Sequence, residues 1–104
     1  MSTTDQMGEF ISLQEASEMT ARYRETIQPG ETIAYAISKE FIARILNQSD
    51  CEGLRIYFGI NAQGKQTLVA TGIDELKNDM CDGLIADGMV TCPADCGYSS
   101  PLNS

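Results

Sequence analysis

Leu54-Arg-Ile-Tyr-Phe-Gly-Ile60 and Gln66-Thr-Leu-Val-Ala-Thr-Gly-Ile73, parted by Asn61-Ala-Gln-Gly-Lys65, are the stretch on which the fold turns. Both runs are rich in β-branched and aromatic residues, and the linker is short, polar and supplied with a glycine for a positive-φ position. They read as the two antiparallel strands of a β-hairpin. Ile56, Phe58 and Ile60 oppose Tyr57, while Leu68 and Ala70 alternate with Val69 and Ile73, so both faces carry apolar side chains. Such a hairpin needs cover on both sides. Helices are expected on one face. Tyr57, Val69 and Ile73, where one helical layer does not reach, are the expected contact residues for a second subunit.

Upstream, Ser12-Leu-Gln-Glu15 fits a capping box, in which serine hydroxyl and glutamate carboxylate each satisfy an orphan amide of the other. Leu13, Ala16, Met19, Tyr23 and Ile27 then recur at helical spacing until Pro29-Gly30, which predicts an amphipathic helix over 13–27 whose stripe faces a core. Ile33, Tyr35 and Ile37 alternate as in a short strand, and Ser38 follows as a candidate N-cap. Phe41, Ile42, Ile45 and Leu46 form the two-row apolar face of a second helix ending near Asn47. Downstream of Ile73 the glycines and aspartates predict loops, held down by Met80, Leu84, Ile85, Met89 and Val90.

The 104 residues suffice for one domain, with residues 1–10 as a polar lead and 91–104 as a loop-rich tail. Apolar residues at 42% and charged residues at 21% are ordinary for a globular chain, which at this size should bury roughly two-thirds of its unfolded surface and fold unaided. Seven basic residues against 15 acidic ones leave a charge of −8, which repels phosphate backbones and anionic membranes, so neither nucleic acid nor membrane is an expected partner. The first ten residues lack the basic and apolar segments of a secretory signal, and no apolar run approaches the ~20 residues of a membrane span. A soluble cytoplasmic protein is expected.

The absence of histidine removes Ser-His, Cys-His and imidazole-metal chemistry. Of the four cysteines, only Cys92 and Cys96 are closely spaced, whereas Cys51 and Cys81 stand apart, a poor match to the paired short spacings of a zinc site. In a reducing cytosol the four read foremost as inert thiols, with a disulfide on oxidation and a structural metal behind that. A thioredoxin-like role does not fit, because three residues separate the pair and Asp95 disfavours a thiolate. Asp74, Asp79, Asp82, Asp87 and Asp95 lack the ligand spacing of a calcium loop and read as solvated turn residues. Gly59 to Gln66 is no phosphate loop, since it opens no helix and Gln66 stands where magnesium requires Ser or Thr.

Ile11-Ser-Leu-Gln-Glu-Ala16, Ile45-Leu-Asn-Gln48, Cys51-Glu-Gly-Leu-Arg-Ile-Tyr-Phe-Gly59 and Cys92-Pro-Ala-Asp-Cys96, in that order, resemble a family of short uncharacterised bacterial proteins over nearly the whole chain. The resemblance implies a fold and brings no activity with it. The expected architecture is α+β, a mainly antiparallel sheet with two helices packed on one face and a loop-rich C-terminal segment. The expected function is non-enzymatic: a homo-oligomer or a module for another protein, without cofactor. A small-ligand or structural metal-binding protein using the C-terminal cysteines is the alternative, and an enzyme with a carboxylate or cysteine nucleophile comes last.

Overall fold

Asn61 closes the hairpin. Its side-chain oxygen accepts from the amides of Gln63 and Lys65, both at 3.0 Å, and its own amide donates to the Lys65 carbonyl at 2.8 Å. Gly64, at φ 81°, supplies the left-handed residue that the turn needs. A computed structural model describes residues 7–104. Along the chain lie α1 (Leu13–Arg24), β1 (Ala34–Ala36), α2 (Lys39–Leu46), β2 (Gly53–Ile60), β3 (Gln66–Ile73), β4 (Ile85–Ala86) and β5 (Val90–Cys92). The fold is α+β with two antiparallel sheets, one of order β2-β3-β4 and a two-stranded ribbon of β1 and β5.

The hairpin register runs from Gly53 opposite Ile73 to Ile60 opposite Gln66. β4 adds only the pairs Ala70 with Ala86 and Thr71 with Ile85. The ribbon sets Ala34, Tyr35 and Ala36 against Cys92, Thr91 and Val90, so part of the expected loop region and the first residues of the expected tail are strand. Pairing with β1 across the sequence, rather than local propensity, fixes these three residues as strand.

The capping box forms as expected: the Ser12 hydroxyl accepts from the Glu15 amide at 3.0 Å and the Glu15 carboxylate accepts from the Ser12 amide at 3.3 Å. α1 stops three residues short of the expected Ile27. Both the Thr26 amide, at 2.9 Å, and its hydroxyl, at 2.7 Å, donate to the Tyr23 carbonyl, which turns the chain out of the helix. α1 buries no residue. Of the two helices expected over the sheet, α2 takes that place, against β2 and β3, and buries Ile45. α1 lies beside the C-terminal tail, where the Arg24 guanidinium donates to the carbonyls of Leu102 and Ser104, both at 2.6 Å.

The core sits where α2 and the 80–84 loop meet the end of β3. Ala70 to Ile73 are buried there with Ile45, and Cys92 is buried separately in the ribbon. Gly72 permits this approach: a Cβ there would lie 2.9 Å from Cys51 Sγ, 3.2 Å from Met80 Sδ and 3.3 Å from Gln48 Nε2. Gln48 in turn ties helix to loop, donating to the Ile45 carbonyl and accepting from the Leu84 amide, both at 2.8 Å.

This core is small. The chain exposes 8045 Å², whereas a compact monomer of its mass exposes roughly 5700 Å². About half of the unfolded surface is buried, against the two-thirds expected from length. The radius of gyration, 15.6 Å, likewise exceeds the roughly 13 Å of a compact chain of this length.

Candidate interaction surface

Alternation along the hairpin sorts its side chains onto two faces. Gly53, Arg55, Tyr57 and Gly59 share one with Thr67, Val69, Thr71 and Ile73; Leu54, Ile56, Phe58 and Ile60 share the other with Gln66, Leu68, Ala70 and Gly72. The expected contact residues all lie on the first face, in different settings. Tyr57 is half-exposed and sits opposite the half-buried Val69, whereas Ile73 is 2% exposed. Ile73 belongs to the chain's own core, where Met7 and Ile73 both pack at Gly53.

Tyr57 is further committed by a polar cluster on that face. Arg55 donates to Asp79 Oδ1 at 2.6 Å and to the Lys77 carbonyl at 3.1 Å, and the Tyr57 hydroxyl donates to Asp79 Oδ2. The Tyr57 hydroxyl and then the Arg55 guanidinium stabilise the Asp79 carboxylate and lower its pKa below the ordinary aspartate value. Hydrogen bonding to Asp79 raises the pKa values of Arg55 and Tyr57 in return. The phenol therefore holds its proton and the carboxylate stays ionised and occupied, so the trio braces the 74–79 turn across the sheet and offers neither a base nor a nucleophile. Asp79 is thus a paired residue, where its turn-rich surroundings suggest a solvated one.

The second face is open. α2 and Cys51 cover it around Gly72, but beyond them Ile56 is 53% exposed, Phe58 81% and Ile60 71%. These three leave roughly 400 Å² of apolar side chain in water, within the range of the largest apolar patch on a typical monomer, which is often a functional one. Composition alone does not separate them from the equally apolar residues of the covered part; their distance from α2 does.

The cysteines divide differently from expectation. Cys92 and Cys96 are joined in a disulfide, in place of two free thiols. The Asp95 amide donates to the Thr91 carbonyl at 2.9 Å, folding the chain back after β5 and bringing the two Cα atoms to 4.6 Å. Cys51 is half-buried and free, Cys81 exposed and free. Among the described residues no three His, Cys, Asp or Glu side chains converge as a metal cage requires, and no helix is long and apolar enough to cross a membrane. An open groove of about 340 Å³ between α2 and β4 is lined by Phe41, Arg44, Ile45, Leu84 and Ile85, a mostly apolar set without a nucleophile. Comparisons with protein-family models, curated proteins and solved structures find no match to this chain.

Proposed function

We propose that the protein is a non-enzymatic module that self-associates through β2, the strand that carries the open face of its hairpin. The stripe of Ile56, Phe58 and Ile60 carries this reading, because it places three large apolar side chains side by side in water on a regular strand. The resemblance to short bacterial proteins implies no activity, so the reading rests on this surface. In the cytoplasm, where we place the protein, thiol pools keep most cysteines reduced; the surface lies on the three-stranded sheet and does not use the Cys92 to Cys96 bond.

Sedimentation equilibrium across the micromolar range tests the proposal. The expected result is a dimer or larger species that Phe58→Lys shifts towards monomer, since the charge replaces an apolar contact in both copies of a symmetric pair. A parent chain that stays monomeric at several hundred micromolar overturns it.

A further inference from the structure

β2 stands at the edge of its sheet over eight residues, and among the described residues no strand pairs with its outer side. The phase of its hydrogen bonds is fixed by the turn. Asn61 donates to its register partner Lys65, so the hydrogen-bonded pairs of the hairpin fall on Gly59, Tyr57, Arg55 and Gly53. The far side of β3 agrees, since the Gly72 carbonyl faces away from β2 and accepts from the Met80 amide at 2.9 Å. The backbone amides and carbonyls of Leu54, Ile56, Phe58 and Ile60 therefore point outward. The residues that present the free backbone edge are the same ones that line the open apolar face.

We infer that the partner is a second copy of this chain, joined by antiparallel pairing of β2 with β2 about a two-fold axis at Tyr57. This inference rests on the self-association proposed above and names its geometry. Because only even-numbered residues offer outward groups, the ladder can form only in registers that pair even with even. The axis at Tyr57 pairs all four within the strand: Leu54 with the partner's Ile60, Ile56 with the partner's Phe58, and the reciprocal two.

Side chains agree with this register on both faces. On the open face every cross-strand pair is apolar on apolar. On the other, Tyr57 meets the partner's Tyr57, and Arg55, the one charged side chain of β2, lies opposite the partner's Gly59, which has no side chain to obstruct it. Arg55 is already neutralised by Asp79, so the pairing buries no unpaired charge. The Glu52 end of each strand runs toward the partner's turn, which carries Lys65 and opposes the general repulsion between two chains of charge −8.

The assembly also closes. The joined sheet has six strands and ends on both sides in β4, a strand of two residues, too short to template further copies. An isologous dimer is the product, and not a fibre.

Amide exchange followed by NMR on the parent chain, below and well above the dissociation constant found by sedimentation, tests the register. The amides of Leu54, Ile56, Phe58 and Ile60 are expected to slow by about tenfold or more as dimer forms, while those of Arg55, Tyr57 and Gly59 are protected at both concentrations. Ile56→Pro removes one outward amide and leaves the β2/β3 ladder its bonds, so it should yield a monomer with an intact hairpin. If that variant does not fold, the exchange pattern of the parent decides alone. A dimer whose even-numbered β2 amides stay fast, or a folded Ile56→Pro chain that dimerises as the parent does, overturns edge pairing and leaves self-association standing. A parent monomeric at every concentration overturns both.

Discussion

Gly72→Ala measures how tightly α2 and the 80–84 loop close on β3. The backbone at Gly72 is extended, so alanine meets no conformational barrier there and by itself would gain about 0.4 to 1 kcal/mol from a less free unfolded chain. Against that, the new Cβ would stand 2.9 Å from Cys51 Sγ and 3.2 Å from Met80 Sδ. Overpacking by one methyl in a closed core costs about 1 to 3 kcal/mol, so the net destabilisation expected is about 1 to 2 kcal/mol. That corresponds to a fall in Tm on the order of 5 to 10 °C for a domain of this length. Met80 is unbranched and can retreat, whereas Cys51 is held by its short side chain and by its Sγ contact to the Gly53 carbonyl at 3.4 Å. Cys51→Ala should therefore relieve the clash: the double variant should come within about 0.5 kcal/mol of Cys51→Ala alone. Urea unfolding of the parent, both single variants and the double variant, followed by circular dichroism, completes the cycle. A Gly72→Ala protein as stable as the parent, or strictly additive effects, would refute the close approach of Cys51 to β3.

Asp79 gives the protein an acid limb: its folded pKa lies below the unfolded one, so its stabilisation is present above about pH 4 and is lost as pH falls through the folded value. Asp79→Asn should flatten the stability profile below pH 4, and an unchanged profile would show that the Arg55 and Tyr57 bonds contribute nothing. Replacing Cys92 and Cys96 by serine opens a short loop, and chain entropy alone predicts a loss of about 2 kcal/mol, read as a lower urea midpoint; a midpoint equal to that of the oxidised parent would refute it. Ser12→Ala removes one half of the capping box and should cost about 1 kcal/mol, seen as fraying of α1 in amide exchange, whereas unchanged protection across Leu13 to Ser17 would show that packing alone sets the helix start.

Local chemistry made much of this fold legible. The hairpin is visible because Asn61 and Gly64 write a turn between two β-rich runs, and the start of α1 because Ser12 and Glu15 are three residues apart. Non-local partners hid the rest. Nothing near Val90 announces that it pairs with Ala36, and nothing near Asp79 announces Arg55, 24 residues earlier. Which face of the hairpin stays open was equally concealed, since both carry apolar side chains; it depends on where α2 comes to rest and on the core around Ile73. The end of α1 was misplaced because Thr26 redirects the chain before Pro29 can.

The separation of the ribbon from the three-stranded sheet gives the molecule a seam. β1 and β5 share no ladder with β2, β3 or β4, and the Tyr35 hydroxyl reaches across to Gln66, at 3.2 Å from its side-chain oxygen and 3.4 Å from its carbonyl. The chain leaves the ribbon after Ala36, builds α2 and the three-stranded sheet, and returns to the ribbon at Val90. Loss of the ribbon would therefore remove no backbone ladder bond from the sheet that carries the β2 edge.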